Sequence, residues 1–166
     1  MECYYKTFIS VGNAKQHYFR LLNAVHTKLS LLPKPILIQC GYTPFISHEC
    51  DVIDFIQMDN FIRYVDHADI IITHAGAGSV LHAVKAGKRP ILMPRRAKFH
   101  EHVNNHQVDF AQALHDSGKA LMVENEEELE LAIIQSHNSK AVQMTNDNNN
   151  QALVIIKSVL HHLLKE

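Results

Sequence analysis

Apolar residues in this chain come in two alternating arrangements. Unbroken runs, TFISV at 7–11, PILIQ at 35–39, IIIT at 70–73, PILM at 90–93 and ALMV at 120–123, suit strands buried on both faces. A shorter apolar segment at 52–55 fits the same beat. Between them the spacing turns helical, near 15–29, 59–67, 78–86 and 104–117, and Glu126 opens another helical stretch. The alternation, joined by short Gly, Pro and Asn connections, predicts an α/β fold. Its core would be a Rossmann-like parallel sheet with helices on both faces. Ligands of such sheets bind beyond the carboxyl ends of the strands, where the loop at 12–15 and the loop at 74–78 must gather.

The richest stretch runs from 69 to 95, DIIITHAGAGSVLHAVKAGKRPILMPR, and reads as strand, glycine loop, helix and strand. Ala75, Gly76, Ala77 and Gly78 remove every bulky side chain from the turn, so that a backbone can approach a ligand closely. Ser79 is placed to cap the following helix. Free amides and the positive end of the helix dipole would then face whatever sits over Gly76 and Gly78, and a diphosphate is the natural guest. A plain strand-to-helix turn explains the glycines equally well when they are taken alone.

Composition narrows the classes. A chain of 166 residues with 46% hydrophobic content makes one domain with a real core, small for a complete two-substrate enzyme. Sixteen basic and seventeen acidic residues leave a net charge of -1, which favours neither nucleic acid nor a bare anionic membrane. Cys3, Cys40 and Cys50 lack CxxC spacing and read as core thiols in a reducing compartment, not as a disulfide framework or zinc site. Thirteen histidines suggest a metal, but there is no HExxH. His100, His102, His106, His161 and His162 are scattered, without the carboxylates of a four-coordinate site, so no metal is expected. No basic segment followed by a long apolar run opens the chain, and no stretch approaches the roughly 20 apolar residues of a membrane span, so a soluble chain is expected. Residues 1–137 are expected to form the domain, 138–150 an asparagine-rich flexible connector, and 151–166 an amphipathic helix with Leu153, Ile156, Leu160 and Leu163 or Leu164 on one stripe. That stripe would dock on this domain's own sheet or help to hold a partner chain.

Several chemistries lack their motifs. Gly12, in VGNAKQ, is a lone glycine after the first strand; the absence of G-x-G-x-x-G argues against nicotinamide and flavin enzymes, and the absence of G-x-x-x-x-G-K-[ST] against P-loop ones. No G-x-S-x-G marks a serine hydrolase. A third segment, PRRAKFHEHVNNHQVDFAQAL, carries Glu101, His102, Asn105, His106 and Gln107 near a helix start. There they could read sugar hydroxyls while amides meet an anion, or could form a solvated loop and a polar helix cap.

Taken together, HAGAGS, the GKRPILMPR that follows it, and EHVNNHQ resemble in order and spacing the C-terminal, donor-binding half of family 28 glycosyltransferases, particularly the family's stand-alone subunits. The resemblance covers roughly residues 8–134. It implies the C-terminal half of a GT-B architecture, in which this half holds a UDP-sugar and the other half holds the acceptor. A separate membrane-anchored subunit would then bring a lipid-linked sugar acceptor to the cleft, as in exopolysaccharide, capsule or glycolipid synthesis, with this chain cytoplasmic and peripheral at the inner membrane face. By the same resemblance His74, Ala75, Gly76, Ala77, Gly78 and Ser79 meet the diphosphate, Gly12 and Asn13 line the opposite lip, and His106 and Gln107 contact the donor sugar. Arg95 and Glu101 are nearby candidates.

The family has a glutamate that grips the ribose hydroxyls where this chain has His82, a threonine where it has Asn13, and frequently a glycine where it has Ala75. No cofactor or metal is implied, since amides and a helix N-terminus stabilise the departing UDP. No residue announces itself as general base; His17, His74 and His102 are candidates, and the family pattern assigns the base to the acceptor half, leaving this chain inactive alone. Two further readings stand beside this one: a non-catalytic accessory subunit that stabilises a partner transferase, which His82 favours, and a generic Rossmann-like redox protein, which would have to bind NAD.

Overall fold

A computed structural model describes residues 4–139 and, beyond them, Val154, Lys157, Ser158 and His161. Six described strands form one sheet: β1 (Thr7–Ser10), β2 (Ile36–Gln39), β3 (Asp51–Ile53), β4 (Ile70–Thr73), β5 (Ile91–Leu92) and β6 (Leu121–Met122). Five described helices accompany them: α1 (Phe19–Thr27), α2 (Met58–His67), α3 (Ala77–Lys85), α4 (His106–Asp116) and α5 (Glu126–Ser139). Every strand pair is parallel and the order is β3-β2-β1-β4-β5-β6, the doubly wound order in which chain direction across the sheet reverses between β1 and β4.

The unbroken apolar runs are explained by burial on both sides. Every residue of β1, β2 and β4 is buried, and consecutive side chains enter different cores. Ile9, Ile38 and Ile72 pack with Leu21, Leu22 and Val25 of α1 and with Leu129 and Ile133 of α5. Phe8, Leu37 and Ile71 face the other way, onto Val65 of α2 and Ala83 of α3. On that side Leu92 packs with Val80 of α3 and Phe110 and Leu114 of α4.

Boundaries shift from the sequence expectation for local reasons. β5 keeps only two residues because Pro90 and Pro94 flank it and cannot donate to a ladder. The helix expected from 15 begins at Phe19, because Tyr18 is drawn inward: its N–H donates to Thr43 Oγ1 (2.8 Å) and its hydroxyl to the Met93 carbonyl (2.6 Å). Residues 12–18 are thereby left as a loop over the carboxyl edge of the sheet. Asn104 and Asn105 precede α4 and brace the approach to it: Asn104 Oδ1 accepts from His106 N and Asn105 Oδ1 from Ala97 N. The expected connector and the apolar stripe of the last helix lie outside the described residues. Among the described residues no helix is long and apolar enough to cross a membrane.

Candidate functional site

The three central strands each end on a polar residue, and their register brings those ends level: Ser10 pairs with Gln39 on one side and with Thr73 on the other. Ser10 Oγ donates to Gln39 Oε1 (2.6 Å) and accepts from the Gly12 N–H (3.2 Å). Gln39 Nε2 reaches the Gly12 carbonyl (3.1 Å), Asn13 Oδ1 (3.3 Å) and the Asp54 carbonyl (3.0 Å), and so fastens the loop after β1 to the loop after β3. Thr73 Oγ1 lies 3.0 Å from both the Ser10 carbonyl and His74 Nδ1.

A cavity of about 230 Å³ opens above this floor, at the β1–β4 reversal where doubly wound sheets bind their ligands. Gly12 and Asn13 line one lip, and His74, Gly76, Ala77, Gly78, Ser79 and His82 the other, so the loops at 12–15 and 74–78 share one crevice. Ser10, Gln39, Ile56, Met58 and Phe61 complete the lining and were not among the residues singled out from sequence. A signal for Ser10 and Gln39 was present in the polar residue closing each apolar run. Ile56, Met58 and Phe61 read locally as ordinary apolar positions. Phe61 meets the His82 ring nearly edge-on, with centroids 6.1 Å apart.

The glycines of the cradle serve different purposes. A Cβ built on Gly76 would stand 2.3 Å from His74 Nε2, and one on Gly12 2.5 Å from the same ring, so the His74 imidazole occupies the space both glycines leave. Gly12 in addition has φ +77°. A Cβ on Gly78 would meet nothing within 4 Å, and only there does the missing side chain keep the cavity open. Gly76 itself is the N-cap of α3, with no side-chain cap bond, and Ser79 sits two residues inside the helix; the expected Ser79 cap is not formed, because the helix starts earlier than Gly78. The first amides of α3 are left free of side-chain partners at the cavity floor, the arrangement that suits an anion. Ala75, buried, holds the left-handed conformation at φ 61°, which costs a non-glycine residue of order 1 kcal/mol.

Burial drives the His74 pKa from its usual 6.5 down to about 4, with the Arg95 charge adding to the effect. The ring is therefore neutral near pH 7. With the Thr73 hydroxyl donating to the Ser10 carbonyl, Nδ1 carries the proton and Nε2 a lone pair; rotation of that hydroxyl onto Nδ1 moves the proton to Nε2. Thr73 Oγ1 can serve Nδ1 in either neutral tautomer.

Five residues expected from the resemblance to meet the donor lie outside the cavity lining, as do the base candidates His17 and His102 and the loop residue Asn105. Arg95 is wholly buried: Nη1 donates to the carbonyls of Gln16 (2.8 Å) and Glu101 (3.0 Å), and Nη2 to that of Val11 (2.8 Å). Its guanidinium stacks 4.5 Å from the Tyr18 ring centroid. Glu101, also buried, accepts from Arg20 Nε (3.0 Å) and Nη2 (2.8 Å) and from the Arg96 N–H (3.0 Å). Gln107 Oε1 accepts from the Arg95 N–H (3.1 Å). These side chains tie the loop after β1 to the loop after β5. Ala75 packs under the cradle, and His106 opens α4. Among the described residues no three His, Cys, Asp or Glu side chains gather as metal ligands would. Cys40 is an internal thiol, its pKa pushed up to about 11 by burial and by Asp54.

Residues 8–160 match the glycosyltransferase family 28 C-terminal domain. The UDP-N-acetylglucosamine transferase subunit ALG13 of Homo sapiens is 38% identical over 60 residues, 36% of this chain and 5% of that protein. Its counterpart in Candida glabrata is 25% identical over 113 residues, 66% of this chain and 54% of the relative. Two solved structures share the fold at low identity. The glycotransferase of kitacinnamycin has a TM-score of 0.64 at 15% identity, over 96% of this chain and 40% of that one. The calicheamicin glycosyltransferase CalG4 has a TM-score of 0.63 at 16% identity, over 93% and 38%. The chain thus spans about two fifths of these GT-B enzymes and at most about half of the two curated relatives named. Its sheet is equivalent to the C-terminal half of a GT-B glycosyltransferase, and the chain belongs to the glycosyltransferase family 28 C-terminal domain family.

Proposed function

We propose that this chain is the donor-binding, catalytic subunit of a two-component glycosyltransferase that moves a hexosyl or N-acetylhexosaminyl group from a UDP-sugar to a lipid-linked acceptor. The observation that carries this reading is the cavity at the β1–β4 reversal, floored by uncapped amides of α3 and walled by apolar side chains toward His82. The diphosphate lies over Gly76, Ala77 and Gly78, where backbone donors and the helix dipole stabilise the charge that grows on the departing UDP. No metal is needed for that step.

A volume of about 230 Å³ is below the about 300–1,000 Å³ of a complete small-molecule site, as befits a cleft whose second wall is another polypeptide. That wall is a membrane-anchored, acceptor-binding subunit, which supplies the general base and holds this chain at the cytoplasmic membrane face. The support is kinship: the relatives named above are themselves called transferase subunits.

Calorimetric titration with UDP, UDP-GlcNAc, UDP-galactose and UDP-glucuronate tests the donor half of the proposal; binding of UDP and of at least one sugar nucleotide is expected. Among the described residues the lining contains no Asp, Glu, Lys or Arg, which favours a second reading, an accessory subunit with a vestigial site. That reading requires that none of the four binds. Transfer to a lipid-linked acceptor by the purified chain alone would overturn the two-component proposal.

A further inference from the structure

Gln39 closes β2 in the floor of the cavity, almost wholly buried, and its carboxamide has one permitted orientation. One end lies 3.1 Å from the Gly12 carbonyl and 3.0 Å from the Asp54 carbonyl. Backbone carbonyls only accept, so that end is Nε2. The other end is the oxygen, which takes the hydrogen of Ser10 Oγ (2.6 Å), while Ser10 Oγ in turn accepts the Gly12 N–H. A flipped carboxamide would set an oxygen against two carbonyls and strand both.

That orientation is passed on to a second carboxamide. Gln39 Nε2 is also 3.3 Å from the Asn13 side chain, whose near atom must therefore be the acceptor Oδ1. Asn13 lines the cavity, and among the described residues no group accepts from its Nδ2. The lip that carries it stands close to the α3 amides. Gly12 and Gly76 abut the same imidazole, since a Cβ built on either would come within 2.5 Å or less of His74 Nε2. A single ring thus separates the residue before Asn13 from the N-cap of α3. Resting on the nucleotide-sugar reading above, we infer that Gln39 is a positioning residue: it holds the Asn13 oxygen inward and so presents Nδ2 to the cavity as a fixed donor for the diphosphate. The diphosphate is then held from two sides, by the uncapped amides of α3 and by Asn13. A donor whose direction is already set makes a charge-assisted bond without the cost of ordering its side chain on binding. Gln39 spends both of its ends on the protein and acts only through Asn13.

Calorimetric titration of UDP into the natural chain, Asn13→Ala, Gln39→Glu and the double variant tests this. Gln39→Glu keeps the shape and puts an oxygen lone pair where Nε2 stood, which draws Asn13 Nδ2 inward and away from the cavity. In the natural background Asn13→Ala is expected to weaken UDP about tenfold, the worth of one hydrogen bond to an ionised group. In the Gln39→Glu background, where the donor is already withdrawn, it is expected to change affinity by less than about twofold. Equal losses in both backgrounds overturn the positioning role, and an Asn13→Ala chain that binds UDP as tightly as the natural one overturns the donor; either result leaves the nucleotide-sugar reading intact. If Gln39→Glu is unfolded by circular dichroism, proton–nitrogen NMR of the natural chain decides. Saturating UDP should move the Asn13 Nδ2 resonances, identified by their loss in Asn13→Ala, and in the free chain these hydrogens should show no strong cross-relaxation with those of Gln39 Nε2. Unmoved Asn13 resonances, or strong cross-relaxation between the two amides, overturn the inference. If UDP does not bind the natural chain, the nucleotide-sugar reading fails, and this inference with it.

Discussion

Two clusters sit at the carboxyl end of the sheet and differ in kind. Around Arg95 the chain buries an arginine against three carbonyls, a tyrosine ring, and a glutamate engaged by a second arginine. Around His74 it presents amides, hydroxyls, two carboxamides and the neutral His74 imidazole to an open cavity, with no Asp, Glu, Lys or Arg in the lining among the described residues. Charge in the first cluster is consumed internally. Arg95 uses Nη1 and Nη2 on Gln16, Glu101 and Val11, so it spans the loops on either side of the crevice without facing into it. The second cluster leaves the first amides of α3 without a side-chain cap. Formal charge near a cleft is thus a poor guide to what faces a ligand: Arg95 is held by three carbonyls and a tyrosine ring, with its Nε left without a hydrogen-bond partner, and those contacts make it scaffold.

The comparison predicts opposite responses to substitution. Arg95→Met should strand the carbonyls of Val11, Gln16 and Glu101 in the interior and cost about 3–5 kcal/mol, lowering the melting temperature by roughly 10 °C. An Arg95→Met chain that melts like the natural one would break the distinction.

Acid should act through His74. Its pKa is about 4 in the fold against 6.5 when unfolded, so on acidification the unfolded chain takes up the proton first. The stability associated with a neutral His74 is complete above pH 6.5, is lost progressively toward pH 4, and amounts to about 3 kcal/mol. Urea unfolding across that range should show a shallower acid limb for His74→Gln than for the natural chain.

Gly76→Ala drives a methyl against the His74 ring, at a cost of about 1–3 kcal/mol. Combined with His74→Ala, which removes the obstacle, its effect should fall well short of additivity in a double-mutant cycle. Gly78→Ala has the smallest structural effect: the new methyl meets no atom, so stability holds or rises by up to about 1 kcal/mol from helix propensity. Because that methyl enters the cavity, UDP affinity should nevertheless fall about tenfold, some 1.4 kcal/mol. Separation of stability from binding at Gly78, and their joint loss at Gly76, would sharpen the contrast between open and filled glycine positions.

Much of the fold is legible in local spacing. The buried runs at 7–11, 35–39 and 70–73 reappear as β1, β2 and β4, because a strand covered on both faces has no position for a polar side chain except at its end. The HAGAGS loop reads correctly as the turn into a helix. Its cap does not: α3 begins at Ala77 with Gly76 as N-cap, and a cap three residues earlier than Ser79 turns Ser79 from a capping side chain into a side chain of the cavity wall. Arg95 and Glu101 read as candidates for ligand contact because polarity in a loop at a strand end has the same appearance whether it faces solvent, ligand or interior.

What the sequence determined by itself is the alternation of strand and helix, the buried strands and the family, since these depend on residue type and spacing along the chain. Strand order was left to the tertiary structure. Pairing β1 with both β2 and β4 sets Ser10 between Gln39 and Thr73, brings Gly12 against the ring of His74, and opens the cavity between two loops more than sixty residues apart. The same pairing decides which glycines accommodate a histidine and which leaves room for a ligand. The physical reason is distance along the chain: a Cβ clash between Gly12 and His74, or a carbonyl of Val11 answered by Arg95, is a contact between residues that no local pattern relates.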